Sequence, residues 1–133
     1  MYIIDTSVVS YFVRDNPLKE LYRTEMSSEL PLSISLQTVA EVMAGADRDN
    51  WGERRRLALQ KYLETQFTIL PIEHETVPFY IAILNGSVRK GRSWQIADTW
   101  IVATAKQHDL VLVTHDGDMR VGSELGVKVI CRK

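Results

Sequence analysis

Five short runs of apolar, β-favouring residues, at 2–4, 32–34, 67–70, 110–113 and 127–130, alternate with longer stretches of helical period. No other feature constrains the fold as strongly. Parallel strands need crossovers of a dozen or more residues, usually helical, and the intervals between these runs supply them. The run Leu-Val-Leu-Val at 110–113 is apolar at every position, as in a strand covered on both faces. The expected class is α/β, in three layers: a central, mostly parallel sheet flanked by helices. At 133 residues the chain is read as one domain over 1–133.

The helices are read from their apolar stripes. Val8, Val9, Tyr11 and Phe12 form one that stops near Asp15-Asn16-Pro17, and a second helix is expected over about 17–29. Leu36, Val39, Ala40 and Met43 mark a third, with Ser35 as its N-cap and Gly45 as its stop. Residues 53–66 form an amphipathic helix whose wet side carries Arg54, Arg55 and Arg56. Residues 76–89 follow, with Pro78 tolerated in the first turn. Ser93 is the expected cap of a helix presenting Ala97, Trp100, Ile101, Thr104 and Ala105, and Thr-His-Asp-Gly-Asp-Met at 114–119 is read as a turn.

A formal net charge of -1 excludes wholesale electrostatic capture of nucleic acid, yet leaves room for a local basic rim such as Arg89, Lys90 and Arg92. Cys131 is the single cysteine, so neither an intrachain disulfide nor a cysteine metal cluster can form. With no basic-then-apolar leader and no membrane-length apolar run, the expected location is the cytoplasm.

Acidic residues fall where an open α/β sheet places its sites, beyond the carboxyl ends of the strands. Asp5 follows the first strand; Asp116 and Asp118 follow the run at 110–113. Glu41 and Asp98 each lie one residue past an apolar stripe, on the rim of a buried helix face. Each has a bland alternative: Asp5 as a helix cap, Glu41 as a solvated helix residue, Asp98 as a first-turn carboxylate, and Asp116 and Asp118 as turn formers. Carboxylates gathered in one crevice repel, and only a cation or a shared proton relieves them. Oxygen donors without cysteine or a histidine pair suit Mg²⁺ or Mn²⁺ better than Zn²⁺.

Taken together, Tyr-Ile-Ile-Asp-Thr-Ser at 2–7, Ile-Ser-Leu-Gln-Thr-Val-Ala-Glu at 34–41, Gly91-Arg92 before Asp98 and its alanine-rich helix, and the threonine and acids at 114–118 resemble the PIN-domain ribonucleases, in particular VapC-like toxins. The resemblance spans essentially the whole chain. Many relatives carry Asn where Ser7 stands, and the closing motif differs in its Asp116, Asp118 and Met119. The resemblance implies a PIN-like fold and a Mg²⁺-dependent endoribonuclease with Asp5, Glu41, Asp98 and Asp116 as catalytic and metal-binding residues. On that reading Asp5 and Asp98 are the principal ligands, with Thr6, Ser7, Thr114 and Asp118 in support; Arg89, Lys90 and Arg92, placed just before the Asp98 helix, either contact RNA phosphates near the site or form a solvated charge run.

The implied reaction is phosphodiester hydrolysis that leaves a 3′-hydroxyl and a 5′-phosphate, on tRNA, rRNA or mRNA. The implied partners are a VapB-like antitoxin, anchored on aromatics such as Tyr11, Phe12 or Trp51, and a second copy in a homodimer; a membrane is not among them. A haloacid-dehalogenase-type phosphatase would need a second aspartate where Ser7 stands, and a receiver domain would need a phosphoacceptor after the strand at 67–70. A housekeeping RNA-processing nuclease and a catalytically silent RNA- or protein-binding module remain the alternatives.

Overall fold

The computed structural model describes residues 1–133. Strands β1 (Tyr2–Ile4), β2 (Leu32–Ser35), β3 (Thr68–Leu70), β4 (Val111–Thr114) and β5 (Val129–Cys131) form one sheet in the order β3-β2-β1-β4-β5. Every pairing is parallel. The crossovers are built from α1 (Thr6–Val13), α2 (Arg23–Met26), α3 (Leu36–Arg48), α4 (Glu53–Gln66), α5 (Val77–Arg89) and α6 (Ile96–Gln107), with a 3-10 segment, Gly117–Leu125, before β5.

Strand side chains alternate between faces, and here both faces are dry. Ile3 pairs with Leu112 and Ile4 with Val113, so each face of the sheet centre carries a matched apolar pair. Ile4 and Val113 join Val8 and Val9 of α1, Val42 and Ala46 of α3, and Leu59 and Leu63 of α4. Ile3 and Leu112 join Ile83 of α5, the 101–105 stretch of α6 and Met119. Burying each such side chain stabilises the fold by roughly 1.5–3 kcal/mol, and β1 and β4 accordingly carry Ile3, Ile4, Leu112 and Val113 at the sheet centre.

The structure departs from the sequence reading in three local ways. Residues 17–26 wind as a 3-10 segment, Pro17–Tyr22, followed by one turn of α2, rather than as a regular helix to 29. Tertiary ties explain this, because buried Tyr22 and Glu25 are both held by Arg132 near the other end of the chain. In α3 the buried face is Thr38, Val42 and Ala46, rotated from the predicted stripe; Ala40 and Leu36 are exposed. Ser35 does cap α3, accepting from the Gln37 amide at 3.1 Å. The helix runs past Gly45 to Arg48, and its stop is Asn50, whose φ of 56° turns the chain away.

The third departure concerns α6. It starts at Ile96 with Gln95 as N-cap and no side-chain cap, so Ser93 does not cap it. The connector is pinned instead by the Trp94 indole, which donates to the Asp118 carbonyl at 3.1 Å. The predicted turn at 114–119 opens the 3-10 segment, with Asp116 at its N-cap. No helix is long and apolar enough to cross a membrane.

Candidate active site

The chain leaves β1 toward β2 and β3, then returns to the other side of β1 as β4. This reversal opens a crevice beyond the carboxyl ends of β1 and β4, the place where open α/β sheets bind ligands. Asp5 and the 114–118 segment enter it directly from those two strands. Glu41 and Asp98 enter from α3 and α6, which flank it on opposite faces.

Asp5 is only 5% exposed, and its backbone amide extends the sheet by donating to the Val113 carbonyl at 2.8 Å. One carboxylate oxygen accepts from the Thr6 amide at 2.8 Å, capping α1. The other accepts from the Thr114 hydroxyl at 2.6 Å and the Ser7 hydroxyl at 3.3 Å. Capping and a place in the crevice are thus compatible roles of one side chain. Burial, the largest influence, pushes the Asp5 carboxyl up despite these three donors, and the charge of Glu41 adds to the push.

The supporting hydroxyls work as relays. Thr114 donates to Asp5 and accepts from the Asp116 amide at 3.0 Å, tying the two strand ends together. Ser7 donates to Asp5 and accepts from the His115 amide at 3.2 Å. Thr6 Oγ1 lies 3.0 Å from both Glu41 Oε1 and Thr38 Oγ1. A hydroxyl has one proton, so Thr6 donates to the Glu41 carboxylate and accepts from fully buried Thr38. Thr38 is a site residue that the sequence reading missed. Its signal was a polar side chain one helical turn before Glu41, on the face that turned out to be buried.

Asp98 is half-buried in the first turn of α6. Burial, then the carboxylates of Asp5, Asp116, Glu41 and Asp118 in that order, push it up to about 6. All four predicted acids therefore share one electrostatic neighbourhood, in which Asp116 bears on Asp98 more than Asp118 does. Asp116 accepts from the Asp118 amide at 3.0 Å through Oδ1, leaving Oδ2 free. Asp118 is exposed and reaches Arg92 at 3.7 Å.

Of the predicted basic residues, only Arg92 is drawn to this edge. Arg89 lies beside Phe79, Gly86 and Lys106 in a separate depression, and Lys90 is exposed at the end of α5.

No cationic side chain neutralises Asp5; its partners are an amide and two hydroxyls. No three His, Cys, Asp or Glu side chains converge into a ready-made metal cage. Separate carboxylates around one crevice fit a hard divalent cation that keeps waters and takes further oxygens from phosphate, rather than a closed zinc site.

The PIN domain family profile matches residues 2–124. Toxin FitB of Neisseria gonorrhoeae is 30% identical over 123 residues, covering 87% of this chain and 88% of that protein. Ribonuclease VapC2 of Haemophilus influenzae is 27% identical over 115 residues, 86% of each chain. Among solved structures, FitAcB from N. gonorrhoeae superposes with a TM-score of 0.79 at 28% identity, covering 98% of this chain and 96% of that one. VapBC2 from Rickettsia felis, bound to a DNA fragment from the promoter, shares the fold with a TM-score of 0.82 at 17% identity, over 99% and 98% of the two chains. With the sheet order, the acid-lined crevice and the profile match in agreement, this chain belongs to the PIN domain family.

Proposed function

We propose that this chain is a metal-dependent endoribonuclease and the toxin half of a toxin–antitoxin pair. The observation that carries the reading is that Asp5 is buried without any cationic partner, in a crevice where the charges of Asp5, Asp116 and Glu41 add to burial in pushing the Asp98 carboxyl up. Structural carboxylates are not left in that state; a cluster that binds a cation must be. Asp5 and Asp98 are the principal ligands of Mg²⁺ or Mn²⁺, and Glu41 and Asp116 complete the acidic wall. When bound, the cation supplies positive charge against the phosphate and lowers the cost of ionising water.

The side chains of this protein do the positioning. Thr114 and Ser7 fix the Asp5 carboxylate, and Thr6, backed by Thr38, fixes Glu41. Asp98, its carboxyl pushed up to about 6 by burial and the neighbouring carboxylates, takes up a proton as pH falls toward that value when no cation is present. Arg92 stands at the rim, where an RNA phosphate can displace Asp118.

A VapB-like antitoxin is the proposed protein partner. Its seat is an apolar crevice of about 270 Å³ that includes Phe12, Trp51 and Tyr62. A homodimer would cover the exposed stripe of Val77, Ile81, Leu84 and Val88 on α5. The substrate is a structured cellular RNA, encountered in the cytoplasm. A silent binding module would not need all four acids around one crevice.

Total RNA incubated with Mg²⁺, with Mn²⁺ or with excess chelator tests the reading. Cleavage is expected with either metal and not with chelator; equal cleavage in all three overturns it.

A further inference from the structure

A polar groove of about 200 Å³ runs away from the acidic crevice between α1 and α3. Its α1 wall is Thr6, Ser10 and Arg14, four residues apart; its α3 wall is Glu41, Gly45 and Arg48. The groove thus begins at the Thr6–Glu41 hydrogen bond of the active site and ends between two guanidinium groups. A Cβ on Gly45 would lie 3.4 Å from Arg14 Nη2 and 3.6 Å from Arg48 Nη2. Both cations therefore hang over the bare backbone of that glycine, and any side chain there would occupy the space between them.

The charges at this end are not balanced. Arg14 is paired with Asp49 at 2.6 Å, whereas Arg48 has no carboxylate partner. Arg55 adds a third cation, 3.5 Å from the centre of the Trp51 ring that closes the groove. Guanidinium forks suit phosphate oxygens, and an anion between Arg14 and Arg48 would relieve their mutual repulsion.

Seven residues of helix separate Glu41 from Arg48, a rise of about 10 Å. That span corresponds to one or two nucleotides of extended strand, not to the reacting phosphate itself. We infer that the α1–α3 groove is a phosphate subsite for single-stranded RNA, in which Arg48 and Arg14 hold a backbone phosphate displaced from the scissile one. With Arg92 on the opposite rim, the strand crosses the acidic crevice between two cationic anchors.

The inference rests on the proposed ribonuclease activity, so its test reads binding separately from cleavage. A fluorescent mixed-sequence oligoribonucleotide is titrated against wild type, Arg48→Ala, Arg48→Lys and Arg14→Lys in chelator across a salt series. Cleavage of the same oligonucleotide and of unfractionated tRNA is then followed with Mn²⁺. Thermal melts check that each variant is folded.

Arg48→Ala should bind about tenfold more weakly at low salt, and its log-log salt slope should shrink by about 0.7, the value of one lost phosphate contact on a single strand. The matching cleavage change is a raised KM with kcat held, and Arg48→Lys should recover most of the loss. Unchanged binding and slope in folded Arg48→Ala overturn the subsite, and if wild type still cleaves, the ribonuclease reading survives. A polyglutamate peptide whose binding needs Arg14 and Arg48 while the oligonucleotide ignores both would assign the groove to an acidic protein segment and likewise overturn the inference. If wild type neither binds nor cleaves RNA under any metal condition, the inference falls together with the activity it rests on.

Discussion

Two carboxylates in this protein are almost completely buried, and they are provided for in opposite ways. Glu25, 2% exposed, meets the Arg132 guanidinium, which also donates to the Leu21 carbonyl at 2.9 Å and lies over the Tyr22 ring. Asp5, 5% exposed, meets neutral donors only, and its charged neighbours are other carboxylates. A buried charge with its counterion in place is finished structure. One without a counterion holds the fold in a state that a cation or a proton completes. That contrast separates scaffold from site more sharply than burial or hydrogen-bond number, since both carboxylates are buried and well bonded.

The largest effect expected from the contrast is on chemistry. Asp98→Asn keeps the shape of the crevice and removes one of its charges, so cleavage with Mg²⁺ should fall by about 10²–10³, several kcal/mol of lost stabilisation. Initial rates on total RNA measure this, and near-wild-type cleavage would remove Asp98 from the site. The converse variant attacks the finished pair. Arg132→Ala should lower stability by about 2–3 kcal/mol, at or below the bottom of the range for breaking a buried pair because the Arg132 side chain is 41% exposed. Its metal requirement for cleavage should be unchanged. Urea unfolding checks the first statement and a Mg²⁺ titration the second; an altered metal midpoint would show that Glu25 and Asp5 are not independent.

Most of the candidate site was legible because its residues sit where periodic patterns end. Asp5 closes the apolar run of β1, and Asp116 follows the uninterrupted apolar run at 110–113, so both stood out against their surroundings. Glu41 and Asp98 were legible as carboxylates at the rim of helix stripes, even though the stripe of α3 proved to be rotated. That rotation is why Thr38 was missed: an apolar-periodicity argument assigns polar residues to water, and Thr38 is buried because Thr6 gives its hydroxyl a partner.

The stretch at 17–26 was illegible for a different reason. Its shape depends on Arg132, more than a hundred residues away, through bonds to Tyr22 and Glu25 that no local pattern encodes. The groove cations Arg14 and Arg48 were equally hidden, since they meet only when α1 packs on α3.

The smallest predicted effect tests the unfinished half of the contrast by stability alone. Asp98 has a folded-state pKa of about 6, above the ~4 of an unperturbed aspartate in the unfolded chain. Below pH ~4 both states hold the proton and the group costs nothing. As pH rises toward 6 the unfolded chain releases its proton first, so it gains relative to the folded protein, and above about 6 the full cost is present. In chelator the wild type should therefore lose stability between pH 4 and 6 more steeply than Asp98→Asn. The excess should be about 1–2 kcal/mol, roughly half the simple linkage value because the half-exposed side chain is screened by solvent. At pH 7 without metal the variant should be at least as stable as wild type, and added Mg²⁺ should stabilise wild type more. Urea unfolding at a series of pH values, with and without Mg²⁺, reads all three. A lone first-turn aspartate predicts the opposite ordering at pH 7, with the variant weaker by ~0.3–1 kcal/mol from the lost helix-dipole interaction, and parallel pH curves would show that the carboxylates do not strain the fold.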